Sequence, residues 1–430
     1  MREEMGRMTY KKAVAVVFTL LMVVCTASCG QNSAHQNGKI TLTLWYWNDS
    51  INDDLLKQVD KAFPNVHLQA EKIGGNFESK LIASMYADDA PDITAINSAD
   101  FIATMVKDYN QFVNLNQFSE VRKAKKQYLA WKWNLASTPD HKYQVAIPMD
   151  TGPVVLYYNT KVFKKAGLPT SPEQVSKKLK TWDDYIQAGE HIKQKTGVPL
   201  VDNLTTVYNA ALNQGKTYYF TSDMKPIYET NPVVKHAWNL AVEFHHKGLS
   251  ADVDEWTTAW SAAATHDGFA SFVGASWMVP QLEQSDTRKG VWRIASAPGG
   301  PADLGGSFIG VTKDCKYPEL AAKIILWLQN PKHQAQAYAS LGLYPSAPSA
   351  FADPIMNKPS SYFGGENINR YFSASDKAID IGFQSPYDAT INNYFTQELA
   401  LVAHNNKNPN SAWSEAITEI NQQMRRVLVN

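Results

Sequence analysis

Lys39 to Trp47 (KITLTLWYW) alternates, with Ile40, Leu42, Leu44 and Tyr46 on one side, which predicts a strand. Asn48, Asp49 and Ser50 break it, and Leu55, Val59 and Phe63 begin helical spacing. Val66 to Ala70 predicts a second strand and Glu78 to Ala87 a second helix. Ala90-Pro91-Asp92 stops that helix before a strand at Ile93 to Ile96. Strand, helix, strand, helix, strand in this order implies an α/β unit with a largely parallel sheet.

Tyr143 to Tyr158 is a pair of extended runs broken at Pro148 to Pro153. Thr181-Trp182-Asp183-Asp184 opens a helix, with Thr181 as N-cap and carboxylates in the first turn. Pro318 to Gln329 is an amphipathic helix ended by Asn330-Pro331, and a last helix starts near Ser411. The chain shows no internal repeat, coiled coil or low-complexity block.

The N-terminus changes the picture of where the chain works. Arg2, Arg7, Lys11 and Lys12 precede an apolar run, Ala13 to Val24, too short to span a bilayer as a mature helix. Small residues Thr26, Ala27 and Ser28 lead to Cys29 and Gly30. One reading is an ordinary export signal with a chance cysteine. The sharper one is a resemblance to bacterial lipoprotein signals, in which residues 1–28 are removed and Cys29 becomes a lipidated N-terminus. Thr26 departs from that pattern, which usually has Leu there, and Cys25 fits less well because Val24 precedes it. Residues 29–38 then form a polar tether. Cys315 is left as a free thiol, with no disulfide framework or Cys-rich zinc site.

Composition narrows the function. The chain has 430 residues, with 41 basic and 41 acidic side chains. Zero net charge removes the electrostatic case for nucleic acid. Without residues 1–28 the balance is about −2, still nearly neutral. The unusual load is aromatic: 12 Trp, 20 Tyr and 17 Phe.

Four segments together resemble the extracellular solute-binding proteins of sugar ABC importers, the maltose-binding-protein-like group. They are KITLTLWYW with its break at Asn48; Lys80 to Asp92; Ala146 to Pro169 (AIPMDTGPVVLYYNTKVFKKAGLP) followed by Thr181-Trp182-Asp183; and Gly268 to Met278 (GFASFVGASWM) followed by Ala297 to Gly300, Gly305 to Phe308 and the helix at Pro318. The resemblance spans essentially the whole mature chain. It implies a two-lobed α/β fold with a ligand cleft between hinged lobes. Lobe one would be 39–148 with 304–335, and lobe two 149–303 with 336–430. Pro148 to Thr151 and Gly299 to Gly306 fall at the crossings, where they are either hinges or simple turns.

A neutral sugar is held by aromatic rings on its C–H faces and by polar forks on its hydroxyls. That points to aromatics at breaks, whereas Trp182, Trp238, Trp327 and Trp413 sit at helical spacing and are assigned to packing. The candidates are Trp47 and Asn48 after the first strand, Asn97 after the third, and Asp150 at the crossing. Tyr208 lies in a polar stretch with Asn209, Trp256 and Trp260 are placed to share one face, and Tyr344 is a loop aromatic. Gly306 and Ser307 offer close backbone approach. Trp277 matches the family tryptophan that stacks on sugar.

The resemblance thus implies an outward-facing, membrane-tethered monomer that delivers an oligosaccharide to a permease, without cofactor or metal. The alternatives are a peptide, ferric iron held by Tyr157-Tyr158 or Tyr218-Tyr219, or a secreted glycoside hydrolase. Adjacent residues in a strand point to opposite faces, against the first tyrosine pair. Asp53/Asp54, Asp88/Asp89 and Asp183/Asp184 are adjacent carboxylates that diverge, not a pair across a cleft. No nucleophile elbow, P-loop or dinucleotide fingerprint occurs, so no catalysis is expected.

Overall fold

The computed structural model describes residues 38–97 and 99–428. Residues 1–28, Cys29 and the tether lie outside the described residues, so the signal and lipidation expectations are not addressed by it.

The alternation in the first segment becomes β1 (Ile40–Tyr46), which buries Leu42, Leu44 and Tyr46. It pairs in parallel with β2 (Val66–Lys72) and with β3 (Ile93–Ile96). β2 runs two residues beyond its apolar signal, because pairing with Trp45 and Tyr46 carries Glu71 and Lys72 along. Two more strands complete this sheet: β4 (Ala146–Pro148) and, from far along the chain, β9 (Phe308–Val311). The order is β2-β1-β3-β9-β4, and β9 runs antiparallel to both neighbours. Four strands therefore share one direction, and the returning segment is the exception. The helices Asp53–Ala62 and Pro318–Leu328 pack their apolar faces on this sheet.

The second sheet is small and wholly antiparallel: β7 (Ser271–Gly274), β6 (Val155–Asn159) and β8 (Trp292–Ser296). β6 and β7 are buried on both faces. Tyr157 lies in one apolar cluster and Tyr158 in another, as strand alternation requires. Helices dominate this half of the molecule. Trp182–Thr196 has the expected N-cap at Thr181, and Thr181 with Asp184 closes a capping box. Trp182 and Trp238 are buried, and Trp327 and Trp413 pack edge-on against other rings.

Between the two sheets the chain crosses three times. β5 (Asp150–Thr151) pairs antiparallel with β10 (Tyr344–Pro345). On its other side, Pro153 bridges Asp303. The two-lobed architecture thus has a narrow, three-stranded waist. No helix among the described residues is long and apolar enough to cross a membrane.

Candidate functional site

A cavity of about 760 Å³ opens at this waist. Its first wall comes from the C-terminal ends of three parallel strands, where an α/β sheet leaves space for ligands. Trp47 and Asn48 follow β1, Lys72 ends β2 and Asn97 follows β3. The Trp47 ring is half-buried and tilted on Phe77, 5.2 Å between centroids. Asn48 has a left-handed backbone (φ 37°), which Asn tolerates better than most side chains. The Asn97 amide donates to Glu78 at 3.3 Å. The Lys72 ammonium lies 3.2 Å from both Asp49 and Asp53, so the lysine's charge is balanced within this wall.

The floor is the waist itself. Asp150 is 4% exposed, and its carboxylate accepts the Ser307 backbone N–H at 2.9 Å. Burial pushes its pKa up to about 6. Gly306 (φ 88°) lies so close that a Cβ would collide with the Asp150 carbonyl, so only glycine lets the two crossings touch.

The second wall is Trp277, Trp256, Gln281 and Gln284. Trp277 stands at the start of the helix Met278–Ser285, and its ring presses on the waist at Gly152. A Cβ at Gly152 would sit 2.6 Å from that ring. Trp256 is 60% exposed at the rim, on a left-handed backbone (φ 65°).

The structure therefore brings together Trp47, Asn48, Asn97, Asp150, Trp256, Trp277, Gly306 and Ser307. It removes three candidates. Tyr208 is in the helix Leu204–Leu212, not a polar loop; it is fully buried and shares a hydrogen bond with the Tyr219 hydroxyl at 2.9 Å. Trp260 is in the helix Thr258–Thr265, also fully buried, and donates to Asp202 at 3.0 Å. It shares no face with Trp256, which precedes that helix. Tyr344 is in β10, buried among Tyr338, Phe351 and Phe372, and donates to Asn369 at 2.7 Å.

Lys72, Gln281 and Gln284 were not anticipated. A signal for the glutamines existed: they lie four and seven residues after Trp277, on the same helical face. A smaller cavity of about 240 Å³ adjoins the main one and shares Leu304 and Gly305 with it. Asn209, Asn213 and Asn392 line it, so Asn209 reaches a cavity where its neighbour Tyr208 does not.

The first tyrosine pair does not form an iron site. Tyr157 and Tyr158 donate to the carbonyls of Ala275 and Thr170 on opposite faces of β6. Among the described residues, no group of three His, Cys, Asp or Glu side chains is placed to hold a metal ion.

Residues 54–363 match the family model for "bacterial extracellular solute-binding protein". This chain belongs to that family. The solute-binding protein is 24% identical over 358 residues to an arabinooligosaccharide-binding protein of Bacillus subtilis, covering 78% of this chain and 80% of that one. Among solved structures, it resembles an extracellular solute-binding protein of family 1 (TM-score 0.83, 26% identity, 89% of this chain and 99% of that one). It shares the fold of the galacto-N-biose-/lacto-N-biose I-binding protein of Bifidobacterium longum (TM-score 0.75, 19% identity, 91% and 98%).

Proposed function

We propose that this solute-binding protein captures a neutral oligosaccharide and hands it to an ABC permease. The observation that carries the reading is the cavity at the waist. Three indoles, Trp47, Trp256 and Trp277, border it, and amides, backbone groups and a charge-balanced lysine fill the space between them. Apolar ring faces with interleaved hydrogen-bonding groups suit a sugar. The sugar-binding relatives support the same class. A sugar touching both walls favours the closed arrangement, because a ligand shifts such an equilibrium only by its differential affinity. We assign lobe one to 39–148 with 304–335, and lobe two to 149–303 with 336–430. The chain acts as a monomer and binds without turnover.

A thermal-shift and calorimetry panel tests this. Arabinooligosaccharides, lactose and lacto-N-biose are compared with a peptide mixture and ferric citrate. One sugar should raise the melting temperature, with a stabilisation of about 2.7 kcal/mol at 100 times its Kd. A shift with peptide or iron alone would refute the sugar assignment.

The lipoprotein-like N-terminus supports tethering at the outer face of the cell membrane through Cys29. The variant Cys29→Ala should then appear in the soluble fraction. Fractionation that still finds it wholly with membranes would contradict the lipid anchor.

A further inference from the structure

Beneath the cleft floor lies a buried cluster that sugar binding does not by itself account for. Lys132, on the short helix Ala130–Leu135 of the first sheet's half, is fully buried. Its ammonium donates to the Gly305 carbonyl at 2.7 Å and stands over the Phe308 ring at 4.4 Å. Three carboxylates act on it: Asp150 of β5, Asp303 of the second crossing, and Asp376 of the helix Asn369–Ala378. All three are buried.

Their partners differ. Asp150 accepts from the Ser307 backbone, and Asp303 from the backbone N–H groups of Gly152 and Gly305 at 2.7 and 3.3 Å. Asp376 has no such cradle. Neither of its carboxyl oxygens has a well-formed hydrogen bond, and the Thr151 hydroxyl facing it bonds the Tyr344 carbonyl at 3.5 Å. The other ionisable groups around the cluster are Lys377, exposed on the same helix, and the phenols of Tyr344 and Tyr218.

One cation facing three carboxylates leaves a surplus of negative charge in a buried site. Like charges so placed cannot all ionise without cost. The group with the poorest hydrogen bonding is the one to stay protonated.

We propose that Lys132 is a positioning residue that pins the crossings forming the cleft floor, and that a protonated Asp376 completes the pin, so that rising pH loosens waist and cleft together. The link to sugar affinity rests on the proposed function. The charge logic of the waist does not. Burial pushes the carboxyls of Asp303 and Asp376 up, as it does Asp150, and pushes the Lys132 ammonium down. A carboxyl whose pKa is raised by folding contributes stability below its unfolded pKa and loses it as pH rises through the folded value. For Asp150 that loss runs from the ordinary carboxylate range up to about pH 6. For Asp376 it comes as pH rises further above the ordinary carboxylate range.

The test compares wild type with Asp376→Asn, which fixes the neutral form, from pH 5 to 9. Without ligand, the two should melt alike at pH 5, and the variant should lose less melting temperature at pH 9. With an arabinooligosaccharide mixture as probe, wild-type affinity should fall roughly fivefold across that range, and the variant's should fall less. Lys132→Met should steepen both curves; if it does not fold, Asp376→Asn still decides. Melting curves of wild type and Asp376→Asn that stay parallel from pH 5 to 9 would overturn the proposal. Failure of every sugar to bind would sink the functional reading instead, while the ligand-free melts would still judge the pin.

Discussion

Replacing Trp277 with alanine should cut sugar affinity by roughly thirtyfold, about 2 kcal/mol, as expected for a central aromatic anchor. The ring lies between ligand space and the waist at Gly152, so it contributes stacking area and also ties the second wall to the crossing. Because the side chain is only half-buried, the fold should survive. Calorimetry on the Ala and Phe variants checks this. Phe should recover part of the affinity by restoring an aromatic face. An unchanged Kd for Trp277→Ala would remove the residue from the site.

The other large effect is expected at Trp260, and its sign is different in kind. Trp260→Ala should destabilise the fold by roughly 4 kcal/mol or more, combining a cavity with loss of a buried partner. The indole packs on Phe269 and Phe272 and donates to Asp202, which is itself fully buried. Losing that donor leaves a buried carboxylate oxygen without its partner. Denaturant unfolding should show a lower midpoint, while the protein that remains folded should bind sugar as wild type does. A normal midpoint with lost binding would reverse the assignment and return Trp260 to the cleft. Trp256→Ala is the natural contrast, since its ring is largely exposed.

These two tryptophans show where the sequence stops being legible. Both stand in a run of small and polar residues, and nothing local separates them. What separates them is a carboxylate 58 positions away that satisfies one indole N–H. The same holds for Tyr344, whose hydroxyl is satisfied by Asn369 and whose ring fits between other aromatics. A polar neighbourhood suggested loops; buried hydrogen bonds explain why such side chains lie inside.

Local signals fared better. The alternation of β1 predicted its buried side, and Thr181 with Asp184 predicted a helix start. Trp47, Asn48 and Asn97 follow from the position of strand ends, since parallel strands deliver their C-terminal residues to one edge. Asp150, Gly306 and Ser307 followed from the crossings. Lys72 was hidden because β2 extends past its apolar run through pairing alone. The carboxylate cluster was hidden for a deeper reason. Its four members come from four distant segments, and only the folded waist makes neighbours of them.

The reversed strand β9 has a consequence for how the chain is made. Phe308–Val311 fills a slot between β3 and β4, both synthesised far earlier. Until that segment arrives, the first sheet has two unpaired inner edges and cannot close. Such distant pairing slows folding, because a long loop must be closed before its contacts form. A nascent chain therefore remains unfinished, and open to being threaded, until nearly three quarters of it has been synthesised.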